Sequence, residues 1–300
     1  MEIIYRRGSE ADSRAAFEVF HESVTDLSTR LGIQALSGGN DPTAHENLWE
    51  RRRPMFQHLA ETGSAFWLAE QNDTVIGYAR AVIRGGLQEL TELFIRPGVQ
   101  SAGVGRELLT RAFPEGDAPH RCIIASPDIR ALALYMRCGV YTRFPIFYLG
   151  REPEVVPIPP DLEAVPITSD PETLTALNQI DREVLGHSRE VDHHWLMTER
   201  HGFLYRRHGK LLGYGYLGYQ HGPFALFDPH DFPAILAHAE TIAATEGIGF
   251  SLDVPGINQV AIDYLLSRRC QIDTFWTHFL SNHPFGQFDR YIAMTPTFLL

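Results

Sequence analysis

Shifted by 136 positions, this chain lies on itself: residues 66–81, FWLAEQNDTVIGYARA, align without a gap on residues 202–217, GFLYRRHGKLLGYGYL. Gly77-Tyr78 falls on Gly213-Tyr214, and the turn Asn72-Asp73 on His208-Gly209. A second register, 130 positions, places Asp128 and Ala131 on Asn258 and Ala261. Two registers in the same order mark an internal duplication. A duplicated chain does not build one large core; it predicts two similar units. The seam is a run with five prolines, REPEVVPIPPDLEAVP, at residues 151–166. Proline removes backbone donors and favours extended chain, so this run reads as a semi-rigid linker between domains at 1–150 and 167–300.

Within each half, strands and helices alternate in the same order. Before the seam come a strand at residues 3–6, helical stretches within 10–62 and a hairpin centred on Gln71-Asn72-Asp73. A strand at 88–95, a helix at 104–113, a strand at 121–125 and a helix at 128–138 follow. The helix from Val104 sets Val104, Leu108, Leu109 and Ala112 on one apolar stripe. This is an α/β (α+β) pattern, with hairpins that imply mostly antiparallel sheets flanked by helices. Apolar residues at 44% and charged residues at 21% exclude wholesale disorder. A net charge of −11 argues against nucleic acid or an anionic membrane as partner. The first half is nearly balanced, 16 Arg against 18 acids, so it is the half better suited to a polyanionic ligand. Three cysteines cannot form a disulfide framework, and no run approaches the ~18 apolar residues of a membrane span. A cytoplasmic protein is expected. Ten of the 14 histidines follow residue 150, including His187, His193 and His194, but in no metal-ligand spacing, so no metal is expected.

The chemistry concentrates in residues 88–111, QELTELFIRPGVQSAGVGRELLTR. A strand ends at Pro97-Gly98, a loop follows, and a helix opens among two glycines. Glycine lets backbone approach a ligand, and the first helical turn offers unpaired N–H groups at a positive dipole end. Such a site suits a pyrophosphate. No Gly-Lys-Ser/Thr follows and no third glycine completes a dinucleotide fingerprint.

Gln100-Ser101-Ala102-Gly103-Val104-Gly105 resembles the Q/R-x-x-G-x-G/A loop of the GNAT superfamily of acyl-CoA-dependent N-acetyltransferases. The strand from Glu89 to Pro97 resembles that family's fourth strand. The helix from Asp128 to Val140 resembles its N-x-x-A-x-x-x-Y-x-x-x-G-F segment, with Asp128 for Asn and Val140 for Phe. The resemblance covers about half the chain. It implies acetyl-CoA as cosubstrate, with the pantetheine arm against backbone groups of Leu93, Phe94 and Ile95. The pyrophosphate would sit on the amides of Ser101, Ala102, Gly103, Val104, Gly105 and Arg106, next to Gln100, with Asp128 also on the cofactor side. It implies Tyr135 as the proton donor to the leaving thiolate and Glu89 as the base that accepts the amine's proton. Glu92 is the rival base, on the opposite strand face unless a bulge upsets the alternation. Cys122 and Cys138 are expected to be inert.

Carried to the second half, the 136-residue register takes Glu89 to Ala225, and the 130-residue register takes Tyr135 to Leu265. The loop there, His230-Asp231-Phe232-Pro233-Ala234-Ile235, has no glycine. The second half is therefore expected to be a degenerate GNAT-like domain. The expected activity is direct acetyl transfer, in a ternary complex, to a primary amine of a small molecule or peptide. The alternatives are a different acyl-CoA donor or a non-catalytic acyl-CoA-binding or interaction module. A homodimer stays open.

Overall fold

The computed structural model describes residues 2–33, 41–99 and 103–298. The chain forms two compact units, residues 1–123 with 128–140, and residues 124–127 with 141–300. In the first, β1 (Ile4–Arg7) precedes two helices, α1 (Ser13–Leu31) and α2 (Pro42–Thr62). A meander follows: β2 (Ala65–Gln71), β3 (Thr74–Arg84) and β4 (Leu87–Ile95). Then come α3 (Val104–Ala112), β5 (His120–Ala125) and α4 (Ile129–Arg137). Strand order follows chain order from β1 to β5, antiparallel throughout except for the parallel β4–β5 pair.

Local chemistry explains the element ends. α1 stops at Gly32, whose left-handed φ of 65° lets its N–H reach back to Ser28 and Thr29. Asp41 caps α2 by accepting from the Thr43 N–H, with Pro42 in the first turn where no N–H is needed. The predicted stripe of α3, Val104, Leu108, Leu109 and Ala112, is buried. Gly77 makes room for it: a Cβ there would stand 2.7 Å from Ile95 Cδ1 and 3.2 Å from Leu108 Cδ1. On the opposite sheet face lie α1 and α2, with Phe17, Phe20 and Phe56 packed edge to face.

The second unit begins with β6 (Tyr141–Arg151), which pairs with β11 (Phe250–Pro255) and β12 (Gln271–Ser281). That pairing puts the division of the chain after Val140, ten residues before the proline-rich run. The run itself ends in β7 (Leu162–Pro166), which pairs with β8 (His201–Arg207). Between them lie α5 (Pro171–Val184) and α6 (Glu190–Glu199). After β9 (Lys210–Leu217) and the short β10 (Phe224–Leu226) come α7 (Phe232–Glu246), β11, α8 (Gln259–Ser267), β12 and β13 (Tyr291–Ile292). One sheet runs β13-β10-β9-β8-β7, and its core is filled by Tyr205, Phe224, Phe232, Leu236 and Leu252, among others.

The duplication is geometric as well as textual. In the first hairpin Ala69 pairs with Gly77 and Glu70 with Val75, so Ile76 bulges out. In the second, Tyr205 pairs with Gly213 and Arg206 with Leu211, so Leu212 bulges at the same place. Both turns hold two positive-φ residues, Asn72-Asp73 and His208-Gly209, as the right-handed strand twist favours in two-residue hairpins. A shift of 130 carries β5 onto β11, α4 onto α8 and β6 onto β12. Among the described residues, no helix is long and apolar enough to cross a membrane.

Candidate active site

β4 carries the two carboxylates singled out from the sequence, and its register decides their relation. Leu90 pairs with Ala81 and Glu92 with Arg80, so Thr91 is an extra residue in the ladder. The bulge reverses the alternation. Glu89 stands opposite Val82 and Glu92 opposite Arg80, two residues apart on β3, so both glutamates face the α1–α2 side. This is the bulge that the reading of Glu92 on the opposite face left as its exception. Only the register, which the sequence does not display, could show this.

Both glutamates are buried, yet their surroundings differ. Glu92 accepts from the Tyr78 hydroxyl at 3.0 Å and from Arg80 Nη1 at 3.3 Å. Burial pushes its carboxyl up, against the pull of Arg80 and the Tyr78 hydrogen bond. Arg80 is fully buried; it also donates to the Phe56 carbonyl and to Ser13 Oγ, both at 3.2 Å, and its guanidinium lies 4.0 Å from the Phe66 ring centre. Glu92 is thus committed to a closed network. Glu89, 2% exposed, lies beside Cys122 across the parallel pair, and burial with the nearby Glu89 charge raises that thiol well above its ordinary range. Burial likewise raises Cys138, so both are poor nucleophiles. Arg80 and Tyr78 were missed in the sequence reading. Their signal was present: an arginine in the middle of the largely apolar run VIGYARAVI demands a buried partner.

The same bulge marks a fork. β4 and β5 are paired from Leu87 with His120 as far as Leu90 with Ile123. Beyond that, among the described residues, Glu92, Leu93, Phe94 and Ile95 have registered strand partners in β3 and none in β5. The Arg96 N–H donates to the Ile76 carbonyl of β3 at 2.9 Å. Since successive peptide groups point to alternate edges, those of Leu93 and Ile95 point away from β3, into the fork. One group there already has a partner, for Ser23 Oγ of α1 donates to the Ile95 carbonyl at 3.0 Å. Past the fork, Gly103 precedes α3 with φ of 87°, and among the described residues a Cβ there would meet nothing within 4 Å. The glycine is required by its backbone angle and not by packing. A Cβ on Gly105 would lie 3.7 Å from Leu134 of α4 and 3.8 Å from Ile95, so β4's end, α3's first turn and α4 converge. Val104 is buried and Arg106 exposed. Gln100, Ser101 and Ala102 lie outside the described residues.

Tyr135 is the buried residue of α4. Burial first, then the Asp128 charge, raises its phenol above the ordinary range, so it keeps its proton at neutral pH. Asp128 caps α4 by accepting from the Arg130 N–H at 2.9 Å, and it pairs with Arg30 at 2.8 Å and Arg130 at 3.1 Å. These hydrogen bonds outweigh burial and hold it down to about 2. Among the described residues no cluster of His, Cys, Asp or Glu could hold a metal.

In the second unit the strand register corrects one correspondence. Ala225 pairs with Tyr214, as Phe94 pairs with Tyr78, so Ala225 is the counterpart of Phe94 and not of Glu89. The 136-residue register fails here because the hairpin is shorter. Tyr216, at the place of Arg80, bonds through its N–H to the Pro223 carbonyl, so a proline stands where the first unit has Glu92. The buried carboxylate on this face comes from α5 instead: Asp181 accepts from the hydroxyl of Tyr214, the counterpart of Tyr78.

A mixed sheet with a bulged, forked fourth strand and a glycine-led helix matches the fold of solved GNAT structures. Residues 33–140 match the family model described as Acetyltransferase (GNAT) family. Solved structures share the fold over nearly the full length. A Pyrococcus horikoshii protein assigned as an acetyltransferase superimposes with a TM-score of 0.74 at 15% identity, covering 96% of this chain and 92% of its own. A GCN5-related N-acetyltransferase from Sphaerobacter thermophilus gives 0.59 at 14%, covering 93% and 95%. A tandem GNAT protein from the clavulanic acid biosynthesis pathway gives 0.58 at 12%, covering 94% and 99%. No curated protein matches the chain.

Proposed function

We propose that the first unit transfers an acetyl group from acetyl-CoA to a primary amine, of a small molecule or a peptide, and that the second is a degenerate GNAT-like domain. One observation carries the reading: β4 and β5 part at Leu90 beside the Thr91 bulge, which leaves strand edge for a ligand next to Glu89. The Leu93 peptide groups and the Ile95 N–H would bind the pantetheine arm, the Ile95 carbonyl being held by Ser23. The amides of Gly103, Val104, Gly105 and Arg106 would hold the pyrophosphate at the positive end of α3. Glu89 is the base in this reading, because it stands at the strand place of the glutamate that the resemblance points to, where β4 and β5 part. The amine, losing its proton to Glu89, attacks the thioester carbonyl carbon. The carbon–sulfur bond breaks, and Tyr135, which holds its proton through burial, gives it to the departing sulfur.

Free-thiol release from acetyl-CoA over a panel of amines tests this. Glu89→Gln is expected to lower kcat by about 10²–10³-fold with the KM for acetyl-CoA unchanged, and Tyr135→Phe by a smaller factor. Unchanged turnover in both variants would end the mechanism. Coenzyme A binding without thiol release on any amine would leave a binding module.

A further inference from the structure

The corresponding strands of the two units are partnered differently at the fork. In the second unit the strands in the places of β4 and β5 are β10 and β11, and β13 lies between them. Phe224 and Ala225, in the register places of Leu93 and Phe94, pair antiparallel with Ile292 and Tyr291. On the other side the Ala293 N–H donates to the Asp253 carbonyl at 2.9 Å. Asp253 stands 130 residues after Ile123, the last residue of β5 to pair with β4. The Asn258 side chain, which caps α8 as Asp128 caps α4, donates to the Tyr291 carbonyl at 3.1 Å. Thr297 Oγ1 donates to Asp253 Oδ2 at 2.6 Å and lies 2.9 Å from the Tyr148 hydroxyl. Tyr291, Ile292 and Met294 are fully buried.

We propose that residues 291–297 are a built-in occupant of the second unit's ligand groove, holding the strand edge that a pantetheine arm would otherwise use. An open strand edge presents unpaired N–H and C=O groups, and an added strand satisfies them. Here the added strand is the chain's own. It also closes the groove on its inner side: Arg189, fully buried, donates to the Tyr291 hydroxyl at 3.0 Å. α7 starts at Phe232-Pro233 with no glycine, and a proline in its first turn offers no amide to a phosphate. The inference rests on the duplication and its strand register, not on which residues of the first unit are catalytic.

Hydrogen–deuterium exchange on the full chain tests it. Peptides covering residues 288–298, 224–227 and 250–255 are expected to exchange together in the unaltered protein. Ala293→Pro deletes the N–H bound to Asp253 and is expected to speed all three at least tenfold, leaving residues 65–95 unchanged. Should that variant not fold, Thr297→Val keeps the backbone, removes the two hydroxyl contacts and is expected to give the same pattern at smaller size. The proposal is overturned if residues 288–298 exchange over a hundredfold faster than β10 and β11, or if the variants speed only that segment. Titration of coenzyme A should give one equivalent per chain; two would also overturn it. No uptake at all would count against the acyltransferase reading alone, with the exchange pattern still deciding the occupant.

Discussion

At the scale of single residues, burial sets the chemistry of both units. Arg80 and Glu92 are a charge pair with almost no exposure, and such pairs are strongly coupled to folding. Removing one member leaves the other charged and uncompensated. Glu92→Ala is therefore expected to cost about 3–5 kcal/mol in urea unfolding, while an Arg80→Met/Glu92→Gln double variant recovers much of it. This separates the two glutamates experimentally, since Glu89→Gln should act on turnover. Asp253 makes the opposite electrostatic case. Burial raises its carboxyl from the ordinary 3.8 to about 7, against smaller downward pulls from Thr297 and Arg200. The folded chain thus holds a proton that the unfolded chain has lost, so this group's stabilising contribution is present below about pH 4 and is lost as pH rises toward 7. The slope is about 1.4 kcal/mol per pH unit. Asp253→Asn is expected to flatten that fall between pH 4.5 and 7, as read from denaturant midpoints at each pH.

At the scale of elements, the strand–loop–helix at residues 87–112 separates what the fold needs from what a ligand needs. Gly103 needs its φ of 87°, which a β-branched residue adopts only under strain. Gly105 needs no such freedom for folding, because a Cβ would touch Leu134 and Ile95 at ordinary contact distance. In a helix alanine is favoured over glycine by up to about 1 kcal/mol. Gly105→Ala is therefore expected to keep or raise Tm while weakening coenzyme A binding tenfold or more. An unaltered Kd would show that the first turn of α3 does not hold the phosphates. The predicted apolar stripe of α3 and the two-residue turn at Asn72-Asp73 were legible in the sequence because both rest on local spacing and backbone sterics. The Thr91 bulge was not, because it exists only as a mismatch between two paired strands.

At the scale of the whole molecule, a ligand for one unit should stabilise that unit. Coenzyme A at about 100 times its Kd is expected to protect amides of β3 and β4 by about 2.7 kcal/mol, with those of β9 and β10 unmoved. Equal protection in both hairpins would mean that the second unit also takes the ligand. The amino-acid sequence alone determined the duplication, the order of strands and helices, and the family resemblance of the first unit. Each is written in short-range periodicity, turn residues and glycine spacing, which survive without knowledge of distant partners. The tertiary structure decided that Glu89 and Glu92 share a face, that Arg80 claims Glu92, that Ala225 answers to Phe94, and that residues 291–297 enter the second fork. Those facts depend on which residue pairs with which across the sheet, and a one-residue change of register reverses every side chain it carries.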